Sequence, residues 1–200
     1  MEAANIKLDD IALVERCRQG DFDAMERLII KYQDRIYNVI LKICANTDDA
    51  AELTQETFVK VMENIGKFQG RSSFYTWAFR IAVNLTLNFR RRNIKLAVRS
   101  LEAQGKDDSG NKRQLLKDFL RDDSASDPAG LAQRKELSEI AVKALMRLDD
   151  AQRTVVVLRD IEGMNYAQIA GVLNIQLGTV RSRLSRARSN LRDIMEAFLR

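Results

Sequence analysis

The chain has 200 residues and a formal net charge of +5, so it is long enough for one or two domains and only modestly basic. It contains no histidine, which removes the usual general base at neutral pH and the commonest metal ligand. The composition therefore argues against an enzyme, a cofactor and a small-molecule substrate.

The two cysteines, Cys17 and Cys44, lack the close spacing of a metal site and lie among apolar helical positions, so we predict buried, reduced thiols. The N-terminus has no basic and apolar leader, and no run reaches the length of a membrane span. These features predict a cytoplasmic protein. Long stretches with helical spacing and a single proline predict an all-α fold.

The first strong helix is predicted at 22–45, after a shorter one at 9–18. Apolar residues recur along it at three- and four-residue steps from Phe22 to Ile43, which makes one apolar face. Asp21 is its predicted N-cap, because a carboxylate there can accept a backbone N–H of the first turn.

The next helix is predicted at 48–65, and its first half is acidic, as the helix dipole favours. Its acids are Asp48, Asp49, Glu52 and Glu56. The residues expected to be buried are Ala51, Leu53, Phe58, Val61, Met62 and Ile65. The acids would repel DNA, so this surface is expected to meet either solvent or a protein.

A loop at 66–73 leads to a helix at 73–93, in a segment (71–101) with seven lysines or arginines and no acid. The predicted apolar stripe of this helix is Phe74, Trp77, Ile81, Leu85 and Phe89. Tyr75 and Phe79 lie off the stripe, which makes them candidates for contact with DNA. Positive charge follows phosphates and aromatic faces accept unstacked bases, so the segment suits melting DNA.

Residues 100–130 mix glycine, serine and both signs of charge, which predicts a flexible linker with a helical turn around 114–120. Four helical segments are predicted beyond it: 131–147, 150–161, 165–172 and 179–198. The β-branched run at 154–157 is compatible with a strand, but its charged flanks favour a short buried helix.

The last two segments have the pattern of a DNA-binding helix-turn-helix. In the second of them, Val180, Leu184, Ala187 and Leu191 share one face and are predicted to be core. Small hydroxyl and arginine side chains cover the other sides, where they can reach bases or phosphates. The predicted contacts are Tyr166, Thr179, Arg181, Ser182, Arg183, Ser185 and Arg186.

Three motifs in this order resemble the extracytoplasmic-function group of bacterial sigma factors. They are DDAAELTQETFVKV from Asp48, FQGRSSFYTWAFRIAVN from Phe68, and GTVRSRLSRAR from Gly178. The resemblance implies two small helical domains joined by a flexible linker: region 2 at 1–95, a linker at 96–132, and region 4 at 133–200.

The resemblance also implies roles for the first domain. The helix at 48–61 is similar to the surface that docks on the clamp helices of the largest subunit of core RNA polymerase. The contacts it implies there are Asp48, Asp49, Glu52, Gln55, Glu56, Phe58, Val59 and Lys60. The segment at 66–92 resembles the part that recognises and melts the minus-ten promoter element. The contacts it implies there are Phe68, Arg71, Tyr75, Trp77, Arg80, Asn84, Asn88 and Arg91.

The resemblance further implies that the helix-turn-helix reads the minus-thirty-five element and that an anti-sigma factor controls the protein. The linker departs from the family, since residues 106–127 are mixed in charge rather than acidic. The alternative is a helix-turn-helix repressor or activator with a sensing first domain. That alternative predicts a ligand pocket or dimer interface within residues 1–95.

Overall fold

The structure, a computed structural model, describes residues 2–100 and 139–199. All regular secondary structure in these ranges is helical, so the predicted all-α class is confirmed. The linker beyond residue 100, the helical turn predicted at 114–120 and the start of the helix predicted from 131 lie outside the described residues.

The described part of the first domain contains helices α1 (Glu2–Arg18), α2 (Phe22–Cys44), α3 (Thr47–Asn64) and α4 (Phe74–Ser100), with a 3₁₀ turn at Ile65–Lys67. Helix α1 begins before the predicted residue 9, and α4 continues past residue 93 and through residue 95, where the first domain was expected to end. Both helices therefore extend beyond their predicted bounds.

Local capping explains where α2 and α3 begin. The Asp21 carboxylate accepts the backbone N–H of Ala24 at 3.1 Å, which confirms the predicted N-cap. The Asn46 side chain accepts the N–H groups of Asp48 and Asp49 at 2.9 and 3.0 Å. Between these helices Ala45 adopts a left-handed backbone with φ 62°, and its N–H bonds the Leu41 carbonyl.

Helices α1, α3 and α4 all pack on α2, whose Leu28, Ile36 and Ile40 are fully buried. Two details of the predicted core are wrong. Phe22 is 83% exposed at the first turn of α2. In α3, Ala51 and Met62 face solvent, whereas Ala50 and Thr57 are buried. The buried face of α3 is therefore turned slightly from the predicted one.

Helix α4 departs most from the prediction. The expected stripe is only half-buried apart from Phe74, and the fully buried side contains Ala78, Phe79, Ala82 and Val83. Phe79, which was set apart as a possible DNA contact, is 0% exposed. Three helices cause this: α2 and α3 cover one side of α4, and a helix of the second domain covers another.

The described part of the second domain contains α5 (139–147), α6 (Asp150–Val156) with a π-helical turn at Val157–Ile161, α7 (Tyr166–Leu173) and α8 (Leu177–Leu199). The β-branched run is helical, as predicted. Asn165 and Gln168 form a reciprocal capping box at the start of α7, with bonds of 2.8 and 2.9 Å.

Arg153 of α6 is a buried charged residue, only 4% exposed, and it organises the end of α5. Its guanidinium donates to the carbonyls of Leu145, Met146 and Leu148 at 2.9 to 3.2 Å. Burial lowers the pKa of Arg153, which the neighbouring Asp150 partly offsets. The side chain thus donates to carbonyls at the C-terminal end of α5, where helical N–H partners become scarce.

The two cysteines are free and buried, as predicted. Burial raises the pKa of the Cys44 thiol to about 11, and that of Cys17 is also raised by burial. None of the helices in the described ranges combines the length and the apolar composition that a membrane span requires. The two domains touch each other directly, chiefly through α4 and α7.

Candidate nucleic-acid interface

A surface groove of about 390 Å³ lies between the end of α3 and the middle of α4. Trp77, Ile81 and Leu85 line it with apolar, half-buried surface. Its polar lining comes from two elements: Lys60, Asn64 and Lys67 on the α3 side, and Asn84 and Asn88 on α4. We call this feature the α3–α4 groove. It continues along α4 past Arg91 and Arg92.

The polar groups of the α3–α4 groove differ in how they are engaged. The Asn64 amide donates to the Lys60 carbonyl at 2.9 Å and accepts the Lys67 ammonium at 3.0 Å. Asn84 and Asn88 are exposed and one turn apart, and neither side chain bonds another described residue. Their amides can therefore each donate to and accept from a ligand.

This combination suits an unstacked nucleotide. An indole face and two aliphatic side chains can contact a base, amides can bond its edge, and ammonium groups can contact its phosphate. Lys60 pairs with Glu63 at 2.8 Å, and this contact raises the pKa of Lys60. Lys67, which forms no ion pair among the described residues, is therefore the uncompensated cation on the α3 side of the groove.

Of the residues predicted to contact the minus-ten element, the structure places Trp77, Asn84 and Asn88 in the groove. Arg71, Arg80 and Arg91 are exposed near it or farther along the segment. Sequence reasoning missed Asn64 and Lys67. The spacing of Lys60, Asn64 and Lys67 at four and three residues was the available signal, because it puts them on one helical face.

Two further members of that predicted set lie elsewhere. Phe68 is 6% exposed, and its ring centroid lies 5.2 Å from that of Trp77. It therefore packs against Trp77 in the core and does not line the groove. Tyr75 points away from the groove, since nine residues separate it from Asn84 and nine residues are two and a half helical turns. Its hydroxyl donates to Glu162 of the second domain at 2.7 Å.

Helix α3 presents a separate exposed face. Its members recur at three- and four-residue steps: Asp48, Glu52, Gln55, Val59 and Met62. The face is acidic at its start and apolar at its end, where Val59 and Met62 are 45% and 41% exposed. Burial raises the pKa of Asp49, and the adjacent charges of Glu52 and Asp48 raise it further.

The other residues predicted to contact the polymerase differ in exposure. Asp49, Glu56 and Lys60 are half-buried beside the exposed face of α3. Phe58 is 6% exposed and belongs to the core, so its side chain is not available as a surface contact in this structure.

Helices α7 and α8 form the predicted helix-turn-helix. Asn174 joins them in a left-handed conformation with φ 52°, which asparagine tolerates better than most residues. Ile169 and Val172 of α7, with Val180 and Leu184 of α8, are buried. The crossing of the two helices is therefore apolar, as the pattern predicted.

The outward side of α8 matches the predicted set of DNA contacts. Arg181, Ser182, Ser185 and Arg186 are exposed, whereas Thr179 and Arg183 are half-buried. Tyr166 is half-buried, with the Arg159 guanidinium 5.2 Å from its ring centroid.

Arg188 of α8 donates two hydrogen bonds to Asp160 at 3.2 and 2.5 Å. Its pKa is raised by that contact. Arg188 is thus neutralised within its own domain, unlike Arg181 and Arg186, for which the structure shows no ion pair among the described residues.

Two family models match the two domains. Sigma-70 region 2 matches residues 28–95, and Sigma-70 region 4 matches residues 138–191. The ECF RNA polymerase sigma-E factor of Escherichia coli (strain K12) is 30% identical over 198 residues, or 97% of this chain and 98% of its own. The RNA polymerase sigma-H factor of Pseudomonas aeruginosa is 33% identical over 193 residues, or 96% of each chain.

Two solved structures share the fold. The sigma factor RpoE of Bartonella quintana, in complex with the anti-sigma factor NepR, gives a TM-score of 0.64 at 20% identity over 86% of this chain and 96% of its own. CnrH, in complex with the cytosolic domain of CnrY, gives a TM-score of 0.62 at 21% identity over 94% and 98%.

A helix-turn-helix domain joined to a helical domain with a groove suited to a base defines a DNA-binding protein of transcription. With the relatives above, the class becomes specific. The chain belongs to the extracytoplasmic-function sigma factors, the subunits of bacterial RNA polymerase that direct initiation to promoters. This finding decides against the alternative of a repressor or activator that acts outside the polymerase.

Proposed function

We propose that this sigma factor divides its work among three surfaces: the exposed face of α3 docks on polymerase, the α3–α4 groove holds a base of the minus-ten element, and α8 reads the minus-thirty-five element. The main support is the α3–α4 groove, where Trp77, Asn84 and Asn88 of α4 lie beside basic side chains near the end of α3. No other described surface combines an indole, free amides and cations.

For polymerase docking, the α3 face offers both charge and apolar area. Acids at its start can pair with basic side chains of a partner, while Val59 and Met62 can be buried on association. The resemblance to the family implies that the partner surface is the clamp helices of the largest subunit. Phe58 is left out of the proposed contacts, since it already packs in the core.

For the minus-ten element, the proposed steps are capture and retention of an unstacked base. Trp77, Ile81 and Leu85 would contact its face, and Asn84 or Asn88 would bond its edge. The arginines farther along α4 would follow the phosphates of the separated strand. Melting would then follow from trapping of the open strand rather than from chemistry.

For the minus-thirty-five element, α8 is the proposed recognition helix. Its exposed serines allow close approach to the floor of the major groove, and Arg181 and Arg186 can bond guanine edges or phosphates. When both domains are attached to one polymerase, binding of one domain to its promoter element raises the effective concentration of the other domain at the second element.

The protein would add no catalytic group or cofactor of its own, since the polymerase performs the synthesis, and it would act in the cytoplasm with that enzyme. We further propose control by an anti-sigma factor. The support is that the sigma factor RpoE of Bartonella quintana, which shares the fold, was solved in complex with the anti-sigma factor NepR.

The test is transcription by reconstituted holoenzyme on a genomic promoter library, followed by potassium permanganate footprinting on the strongest promoter. Asn84→Ala should lower open-complex formation by about tenfold, since one amide contact is lost. Asn190→Ala is the matched control, because that exposed asparagine bonds Gln152 at 2.9 Å within the second domain. Equal footprints for the two variants would refute the role of the groove, and absence of any specific transcript would refute the whole assignment.

A further inference from the structure

The two lysines that line the α3–α4 groove are held in different ways. The Lys60 ammonium forms an ion pair with the Glu63 carboxylate at 2.8 Å, so its charge is compensated. The Lys67 ammonium is held instead by the side-chain carbonyl of Asn64, to which it donates at 3.0 Å. An amide carbonyl is neutral, so this bond fixes the position of the ammonium and leaves its charge uncompensated.

The amide of Asn64 is fixed at both of its polar atoms. Its Nδ2 donates to the Lys60 carbonyl, one turn earlier in α3, at 2.9 Å. This bond orients the amide, because the reversed orientation would place the amide oxygen against the carbonyl oxygen of Lys60. The Oδ1 atom of Asn64 is therefore directed to Lys67 as an acceptor.

The backbone around Lys67 is anchored as well. Lys67 ends the 3₁₀ turn at Ile65–Lys67, and the Phe68 N–H donates to the Ile65 carbonyl at 3.2 Å. Ile65 and Phe68 are 8% and 6% exposed, so the chain is set in the core before and after the exposed Lys67. Because its backbone and its ammonium are both held, this side chain loses little further freedom when it binds a ligand.

The α4 wall of the groove presents groups of another kind. The exposed amides of Asn84 and Asn88 lie there, and Trp77 supplies an apolar face. None of the residues that line the groove is acidic. A nucleotide has a flat face and a polar edge on its base and a negative charge on its phosphate, so the two walls match its two ends.

We propose that Lys67 is the residue of the α3–α4 groove that binds a phosphate of the separated minus-ten strand, and that Asn64 is a positioning residue that holds the Lys67 ammonium without neutralising it. The inference rests on the proposed function, since a phosphate reaches Lys67 only if a nucleotide lies in the groove. The contact follows the DNA backbone and is independent of the base sequence. It releases counterions from that phosphate, so it contributes most at low salt.

The first test measures the affinity of reconstituted holoenzyme for a forked promoter fragment whose minus-ten element is single-stranded. Fluorescence anisotropy at several salt concentrations gives the dissociation constant and its salt slope. Lys67→Ala should weaken binding about tenfold at low salt and lower the salt slope by about 0.7, the value for one phosphate of a single strand. Lys67→Arg keeps the charge and should stay close to wild type. Lys143→Ala, the matched control, should equal wild type, because that lysine is exposed on α5 outside the groove.

The second test locates the phosphate. Each phosphate of the single-stranded segment is replaced in turn by an uncharged methylphosphonate. One replacement should weaken binding by wild type and have little effect on Lys67→Ala, because the variant no longer contacts that phosphate. If every methylphosphonate affects the two proteins equally, Lys67 binds no phosphate and the proposal is wrong.

Two substitutions of Asn64 separate positioning from stability. Asn64→Ala leaves the charge of Lys67 in place, so affinity should fall by about threefold while the salt slope stays near that of wild type. Asn64→Asp neutralises Lys67, so the slope should fall by about 0.7, as in Lys67→Ala. A role in stability alone would give the two variants the same slope and would overturn the positioning role. Titration with core polymerase would first confirm that each variant forms holoenzyme.

These outcomes are distinguishable from failure of the proposed function. Wild-type affinity and salt slope for Lys67→Ala, with a weaker footprint for Asn84→Ala, would overturn the phosphate contact and leave the groove as the base site. A normal footprint for Asn84→Ala, with a lower slope for Lys67→Ala, would overturn the base contact and leave Lys67 as a phosphate contact.

Discussion

The guanidinium of Arg153 crosses from the second domain to the first, where its Nη1 donates to the carbonyl of Ile43 at 2.9 Å. The same side chain serves three carbonyls at the end of α5. One buried arginine thus completes the fold of one domain and attaches it to the other.

Removal of Arg153 should destabilise the second domain. Arg153→Ala removes the guanidinium that donates to four carbonyls from a buried position, so we expect a loss of about 3 kcal/mol in the free energy of unfolding. Urea denaturation followed by circular dichroism measures it. Arg153→Lys should recover only part of the loss, since an ammonium cannot reproduce the fork of the guanidinium. An unchanged midpoint for the alanine variant would contradict this account.

The capping box of α7 should contribute measurably to the helix-turn-helix. Asn165→Ala removes the acceptor of the Gln168 N–H, so we expect a loss of about 1 kcal/mol. Asn165→Asp keeps an acceptor and should stay near wild type. Thermal unfolding of the two variants side by side checks this, and equal melting temperatures for alanine and aspartate would argue against the cap.

The arginines of α8 should differ in their contribution to DNA binding. Arg186→Ala should weaken promoter binding by about tenfold and, for a phosphate contact, reduce the salt slope by about one. Arg188→Ala should change affinity by no more than about twofold, since its charge is already paired with Asp160. Filter binding of the holoenzyme at several salt concentrations distinguishes the two, and the reverse order would reject this view of Arg188.

Neither cysteine should react readily in the native protein. The pKa of Cys44 is raised to about 11 by burial, so almost none of it is thiolate at pH 8, and Cys17 is also buried. Alkylation with iodoacetamide, followed by mass spectrometry, should be slow for both sites in buffer and fast in urea. Rapid native labelling of Cys44 would show that its surroundings are more open than in this structure.

The contact between the two domains should weaken at high pH, because the Tyr75 hydroxyl donates across it to Glu162. Burial and the bond to Glu162 raise the pKa of Tyr75, while Arg35 acts in the opposite sense and Tyr32 slightly raises it. Because the pKa is raised while the domains are in contact, the contribution of Tyr75 to that contact is complete below the ordinary pKa of about 10 and is lost as pH rises beyond it.

Small-angle X-ray scattering from pH 8 to 11 checks this prediction. Wild type should expand as pH rises, whereas Tyr75→Phe, which cannot ionise there, should lose that part of the pH dependence. Parallel curves for the two proteins would assign the expansion to other groups.

Much of the fold followed from local signals. Caps such as Asp21 and the apolar spacing of α2 and α8 depend on residues within or next to one helix. They can therefore be recognised in the sequence. The face of α4 could not be assigned in the same way. That helix has apolar residues on most sides, and which of them are fully buried depends on the sides that α2, α3 and α7 cover, the last of these being far away in the chain.

Only one side of the α3–α4 groove could be predicted from the sequence. The α4 side, with Trp77, Asn84 and Asn88, belongs to the basic, aromatic segment at 71–101 that was predicted to contact melting DNA. Asn64 and Lys67 come from another helix and turn, so their place in the same groove depends on how α3 packs on α4.

The sequence by itself determined the helical class, the helix-turn-helix and the membership of the sigma factor family, because periodicity, capping and motifs are local properties. Only the tertiary structure decided which side of α4 is buried and that Glu162 meets Tyr75 and Arg35. Those contacts join residues 87 and 127 positions apart. Partners at such separations are chosen by the packing of whole helices and domains, and no pattern within one helix encodes them.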